Sequence, residues 1–364
     1  MRKMQQKLEL PNGSILKNRL VMAPMTNKMS FYNGVVTSDE LCYYAFRTGD
    51  VGMMITAAAY VKSEGKGWDG QLGASDDKHL LGLSKLAATM KQSGTKAILQ
   101  IFHAGRRTNS KILHGIQPVS ASAVASLEAD AEIPQQVSTN EIEHLIEAFA
   151  RATKRAIQAG FDGVEIHGAN GYLLQQFYSP HANVRDDEWG GNRENRYRFI
   201  KMLVERVCET AKAESEQPFI VGYRFSPEEG QHPGITLDDT LYLVEQLLQQ
   251  PVDYLHVSLA EFQSKASSSV NHQEKMIGAY LQEIVAERVP LIGVGGVKTM
   301  RDVETALETF DCIAIGRALL IDPRWAEKIL ADQEAMIRRE LILIDRPVNY
   351  ISNGALDFLT NRMA

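Results

Sequence analysis

Apolar residues fall in short, unbroken runs that recur from one end of the chain to the other, each stopped by glycine, proline or polar turn residues. They are LVMAPM (20–25), VGMMIT (51–56), AILQIF (97–102), GVEIH (163–167), FIVGYRF (219–225), YLHVS (254–258), PLIGVG (290–295) and CIAIG (312–316). Runs without polar alternation suit strands buried on both faces, as in a parallel sheet. Between them lie stretches with apolar residues at helical spacing, at 76–93, 139–159, 192–215, 237–250 and 300–309, and Ser38, Thr139, Asn192 and Thr299 are types that cap helix starts. Eight such units in series predict an α/β fold, a single (β/α)₈ TIM barrel over about 18–330.

Ahead of the first run, LELPNGSILKN sets Asn12-Gly13 between two apolar flanks, which predicts a type I′ β-hairpin over about 7–17, placed as a lid on the bottom of the barrel. The connection from His103 to Ser138 is long and its Ala/Ser-rich middle has no clear period, so it reads as an excursion over the active face. From about 331 to 364 the pattern is that of a polar, helical C-terminal extension, able to pack on the barrel or reach a neighbouring subunit. No repeat or low-complexity linker divides residues 1–364, so one domain is expected.

Composition narrows the function without naming it. The chain is 44% hydrophobic, enough for a large core, and its net charge of −6 offers no general field for a polyanion, so nucleic acid is not an expected partner. Cys42, Cys208 and Cys312 are far apart, which argues against a local metal or iron–sulfur site and against a disulfide framework. The N-terminus lacks the apolar run of a signal peptide and no stretch is long enough to span a bilayer, so no membrane association and a cytoplasmic location are expected.

In barrels the chemistry sits where the strands end. Thr26 closes the first run; Thr56 with Ala57 and Ala58 closes the second; Gln100 and His103 belong to the third; His167, Asn170 and Tyr172 follow the fourth. Arg224, His256, Gly295-Gly296 and Gly316-Arg317 come from the remaining four. Hydrogen-bonding groups, a cation and two glycine turns converge on one mouth, an inventory suited to a ring system with a phosphate tail. Taken singly, the glycines also read as tight turns, Arg317 as a solvated cation, and Thr26, Gln100 or His167 as satisfied core polar groups. A dinucleotide motif beginning at Gly293 is a weaker reading, because Lys298 stands at its third glycine position.

Four segments carry a resemblance: NRLVMAPMT (18–26), LQIFHAGR (99–106), GFDGVEIHGANGYLLQQFYSPHANVRDDEWGGNRENRYRF (160–199) and IAIGRALLIDP (313–323). In that order they resemble the old yellow enzyme family of FMN-dependent NAD(P)H:flavin oxidoreductases and ene-reductases. The resemblance implies that Ala23, Pro24, Met25, Thr26 and Ala58 line the flavin, that Gln100 and Arg224 bind its pyrimidine edge, and that Gly295, Gly296, Gly316 and Arg317 hold the phosphate. His167 and Asn170 would bind a substrate carbonyl and Tyr172 would supply a proton. His103, Arg106, His181 and His256 keep structural readings, and 186–196 reads as a salt-bridged loop entering a helix. Lys28 stands where some relatives have an aromatic residue, and the cysteine cluster of larger iron–sulfur relatives is missing, so a reductase of that type is not expected.

The implied activity has two half-reactions at one site: NADH or NADPH reduces the flavin at N5, then an α,β-unsaturated carbonyl compound takes the hydride, giving ping-pong kinetics. Dioxygen or free flavin as the acceptor, as in an NADH oxidase, is the alternative. A barrel kept as a scaffold without flavin is the non-enzyme reading. The physiological substrate and a homo-oligomeric state stay open.

Overall fold

In the computed structural model, which describes residues 1–268, 272–341 and 351, all eight apolar runs form parallel strands of one closed sheet. They are β1 (Leu20–Met22), β2 (Met53–Ile55), β3 (Lys96–Phe102), β4 (Gly163–Gly168), β5 (Ile220–Phe225), β6 (Tyr254–Val257), β7 (Leu291–Val294) and β8 (Cys312–Ile315). Closure comes from β8 pairing with β1, Ile313 opposite Leu20 and Ile315 opposite Met22. Around the sheet lie α1 (Ser38–Ala45), α2 (Leu80–Met90), α3 (Thr139–Gln158), α4 (Arg193–Glu214), α5 (Leu237–Leu247), α6 (Ile277–Val285), α7 (Met300–Thr309) and α8 (Trp325–Leu330). The segment weighed as a dinucleotide motif is β7 and α7 of the barrel. Among the described residues no helix is long and apolar enough to cross a membrane.

Helix starts follow the capping logic with two one-residue corrections. Thr37 caps α1 and Ser138 caps α3, each hydroxyl accepting from the backbone three residues on, with Glu141 returning to the Ser138 N–H in a capping box. Asn192 and Thr299 cap α4 and α7 as expected.

Strand residues alternate between two cores. Leu99, Ile101, Val164, Ile166, Val221 and Tyr223 point outward into the layer shared with the helices. Ile98, Ile220, Tyr254, Ile292 and Cys312 point inward and fill the bottom of the barrel with Leu10 and Leu16 of the hairpin. The hairpin, Leu8–Glu9 paired with Ile15–Leu16, therefore plugs the bottom, and Asn12 binds Asp253 there through its backbone N–H (3.1 Å) and amide (3.3 Å). Its turn is not type I′. Asn12 keeps a negative φ, the Gly13 N–H reaches the Leu10 carbonyl, and only Gly13 (φ 83°) is left-handed. Pro11, with its φ fixed, sets an ordinary turn followed by a glycine bulge.

Of the C-terminal extension, residues 331–341 hold one 3₁₀ turn, Glu334–Met336, and no α-helix beyond it, with Ile337 extended and buried on the barrel. The helical reading of most of 342–364 lies outside the described residues.

Candidate active site at the mouth of the barrel

Along β3, β4 and β5 the inward positions change from apolar to polar toward the C-terminal end. Gln100, Glu165, His167, Arg224 and His256 all face the interior above the plug, and register puts His167, Arg224 and His256 side by side. Above them opens a cavity of about 1080 Å³, lined by every residue that sequence reasoning assigned to the site: Ala23, Pro24, Met25, Thr26, Ala58, Gln100, His167, Asn170, Tyr172, Arg224, Gly295, Gly296, Gly316 and Arg317. That exceeds the roughly 300–1,000 Å³ of ordinary small-ligand pockets and suits a large cofactor with a second ligand.

Thr26 lies four residues beyond the last paired residue of β1, on an irregular segment rather than at the strand end. The segment is tied from behind by Glu40 of α1, whose carboxyl accepts from Asn27 Nδ2 (3.2 Å) and Ser30 Oγ (2.6 Å). Glu40 is fully buried, and burial pushes its pKa up to about 7 against those two hydrogen bonds.

His167 is a neutral donor. Its Nδ1 accepts from the Ala169 backbone N–H (3.2 Å), which leaves the proton on Nε2. Burial, helped by the charge of Arg224, holds its pKa at about 3, so the ring does not charge near neutrality. Asn170 sits at φ 58°, its N–H on Ser226 Oγ (2.8 Å). Arg224 Nη2 donates to Ser258 Oγ (3.1 Å), and the Ser258 hydroxyl donates to Asn170 Oδ1 (3.0 Å). Arginine can only donate, so the relay has one direction and turns the Asn170 amide N–H₂ away from Ser258 as a donor. The Tyr172 ring packs on Phe102 (4.4 Å between centroids) and on His167 (5.2 Å), with the Arg107 guanidinium 5.2 Å from its centroid.

At the far side, Gly295 (φ 122°) and Gly296 (φ 71°) expose backbone where a side chain would not fit: a Cβ on Gly295 would meet the Ala260 carbonyl at 2.8 Å. Glu261 leans over Gly296 and pairs with Arg317 at 3.6 Å. The residues present fit FMN. Gly295, Gly296 and Arg317 make a cradle for an anion, and Arg224 Nε is buried without a partner among the described residues, a charged donor that requires an acceptor.

Residues with structural readings fall behind the cavity wall or at its edge. His103 is buried against Gly65, and burial lowers its pKa to about 4. His256 bonds Glu165, and Arg106 bonds His181 and the Val124 and Ala125 carbonyls. In the 186–196 loop Arg185 pairs with Asp187 and Arg198 with Glu188 before Asn192 opens α4. Lys28 (φ 48°) is not among the lining residues; Trp68, which packs on Phe102 and Tyr172, supplies an aromatic wall. The 103–138 excursion does cover the mouth, bringing Ser126, Leu127 and Glu128 to its rim, with Glu128 paired to Arg107 at 2.6 Å. Trp68, Ser226, Ser258, Arg338 and Arg339 all border or brace the cavity and had no periodic or motif signal.

Residues 8–335 match the profile of the NADH:flavin oxidoreductase / NADH oxidase family. The chain belongs to that family. It is similar to the "NADH:acrylate oxidoreductase" of Vibrio harveyi, 45% identical over 88% of this chain and 32% of that protein, so it spans about a third of that relative's length. It is also similar to the "Probable NADH-dependent flavin oxidoreductase YqiG" of Bacillus subtilis, 40% identical over 90% of this chain and 87% of that one. In fold it matches the old yellow enzyme homologue of Zymomonas mobilis with a TM-score of 0.80 over 96% of both chains, at 23% identity. Its fold is that of the old yellow enzyme homologue, and the family to which it belongs is one of oxidoreductases that work with NADH and a flavin.

Proposed function

We propose that this family member reduces the carbon–carbon double bond of α,β-unsaturated carbonyl compounds. FMN, when bound, supplies the hydride chemistry between the nicotinamide and the substrate. Gln100 and Arg224 would hold its pyrimidine edge, with Thr26 at the adjacent ring oxygen, and Gly295, Gly296, Gly316 and Arg317 would hold its phosphate. The observation that carries the reading is the pair of neutral donors, His167 Nε2–H fixed by the Ala169 N–H and the Asn170 amide fixed by Ser258. Two such donors stabilise the negative charge that grows on a carbonyl oxygen as hydride arrives at the β-carbon, an effect of roughly 3–4 kcal/mol per good donor. A neutral His167 loses no proton in doing so. Tyr172, packed against His167, would then deliver its hydroxyl proton to the α-carbon. The same donors suit a nicotinamide carboxamide, which implies that the two ligands bind in turn.

The family's description also favours a second reading, in which dioxygen or another flavin takes the electrons. The test is an anaerobic one. Enzyme reduced by NADH or NADPH is mixed with cyclohexenone, with acrylate or fumarate, or with oxygenated buffer. Rapid reoxidation by the enone supports the proposal; reoxidation by oxygen alone overturns it.

A further inference from the structure

Glu165 lies inside β4, between the two residues of that strand that face the bottom and the mouth of the barrel, and its side chain is completely buried. Its carboxylate collects three donors from two other strands. Gln100 Nε2 of β3 donates to Oε1 at 2.7 Å, while the Tyr254 hydroxyl and His256 Nδ1 of β6 donate to Oε2 at 3.0 and 2.9 Å. Tyr254 can reach only because β5 has Gly222 between the two strands, Glu165 and Tyr254 being its partners on either side. A Cβ on Gly222 would run into the Tyr254 ring. The absent side chain is the passage through which a residue of β6 reaches one of β4.

One layer nearer the mouth, Arg224 of β5 stands beside His167 and His256. Burial alone would raise the Glu165 pKa, but His256, Arg224 and the Gln100 hydrogen bond outweigh it and hold the acid below its ordinary range. Burial lowers the pKa of His256 and the charge of Glu165 opposes that shift, while one layer nearer the mouth the same carboxylate faces the Arg224 guanidinium. Two ionised groups are thus stacked under the cavity, a guanidinium at its floor and a carboxylate beneath.

We infer that Glu165 is a positioning residue that sets how strongly the site favours the reduced, negatively charged flavin, acting through Arg224 and Gln100. The inference rests on the proposed seat of FMN over those two residues. Arg224 attracts the charge gained on reduction, and a buried carboxylate behind it subtracts from that attraction, so reduced FMN is held less tightly and gives up hydride more readily. The same carboxylate fixes Gln100 by taking its N–H₂, which leaves the amide oxygen as the end presented to the cavity. Neither effect requires Glu165 to touch the cofactor.

The test is the two-electron midpoint potential of FMN-loaded protein, together with the affinity for oxidised FMN. Glu165→Gln keeps the shape and removes the charge. It should favour reduced over oxidised FMN at least tenfold, a positive shift of about 30 mV for a two-electron couple. Tyr254→Phe keeps the carboxylate but removes a donor that spreads its charge, and should shift the potential the other way. Packing damage alone would weaken FMN binding in both variants without opposite shifts, and that result overturns the inference. Should Glu165→Gln fail to fold, the sign of the Tyr254→Phe shift decides: negative supports, zero or positive overturns. Arg224→Met reports on the seat of FMN itself. If it lowers the potential while Glu165→Gln changes nothing, this inference alone falls; if Arg224→Met changes nothing, the placement of FMN falls with it.

Discussion

Removing one hydroxyl, in Ser258→Ala, tests whether the floor of the site is wired to the substrate donors. Ser258 is the middle of the relay from Arg224 Nη2 (3.1 Å) to Asn170 Oδ1 (3.0 Å). Without it the Asn170 amide loses the contact that distinguishes its two ends. A hydrogen bond of this kind is worth about 0.5–1.5 kcal/mol net, so at 1 kcal/mol the ratio of donor-outward to flipped amide falls roughly fivefold, from about 5:1 to about 1:1. Complete loss of an oxyanion donor costs about 10²–10³ in rate, which bounds the effect from above. Reoxidation of reduced enzyme by cyclohexenone should therefore slow by roughly twofold, with flavin content and reoxidation by dioxygen unchanged. Stopped-flow absorbance under anaerobic conditions gives the rate directly. Adding Asn170→Ala should cost little beyond Asn170→Ala alone, because both changes remove the same function. An enone rate equal to wild type in Ser258→Ala would show that the relay does not orient Asn170.

Three further outcomes are expected. Tyr172→Phe should leave reduction by nicotinamide and reoxidation by dioxygen intact but slow reoxidation by cyclohexenone by about 10²-fold, the usual loss for a general acid; an unchanged enone rate removes Tyr172 from the proton transfer. Glu40, raised from 4.5 to about 7 by burial, gives the folded state an extra proton between those values. Its contribution is complete below pH 4.5 and is lost as pH rises through about 7. Glu40→Gln should flatten that part of the thermal-stability profile, worth up to about 3 kcal/mol, whereas an identical pH profile in the variant excludes Glu40 as its source. Glu261, leaning over Gly296 and paired with Arg317, competes with any anion in the cradle. Glu261→Gln should tighten FMN binding by apoprotein in a fluorescence-quenching titration, and weaker binding would mean that Glu261 helps to shape the cradle instead.

Much of the barrel could be read in the chain because each strand is a local signal: an apolar run stopped by a turn residue needs no knowledge of its neighbours. Strand-end residues such as Arg224 and His167 were legible for the same reason, since the fold says where strand ends meet. Glu165 was not. Within GVEIH it passes for one polar residue in an apolar run, and its partners Tyr254 and His256 are 89 and 91 residues away. Ser258 and Trp68 acquire their roles only from what stands opposite them. The hairpin turn departs from the type I′ that Asn-Gly predicts because Pro11 restricts the backbone ahead of Asn12, leaving only Gly13 left-handed. The cap positions moved by one residue wherever two hydroxyl or acidic candidates stood in succession, as with Ser138 and Thr139.

The seam where β8 meets β1 joins the last barrel strand to the first, so it has consequences for how the molecule forms. The pairing of Ile313 with Leu20 spans nearly the whole barrel sequence, and contacts of such range are slow to find because most of the chain must be ordered before they form. During synthesis, β1 has no second neighbour until β8 has emerged, and its open edge is exposed for that time. Two walls of the cavity, Ala23 to Thr26 after β1 and Gly316-Arg317 after β8, stand on either side of this seam. A ligand that needs both walls binds only the closed barrel, and by mass action draws the chain toward closure. FMN, seated as proposed, would in this sense be the last strand's partner in folding: added during refolding, it should raise the yield of closed barrel by trapping the step that the chain completes last.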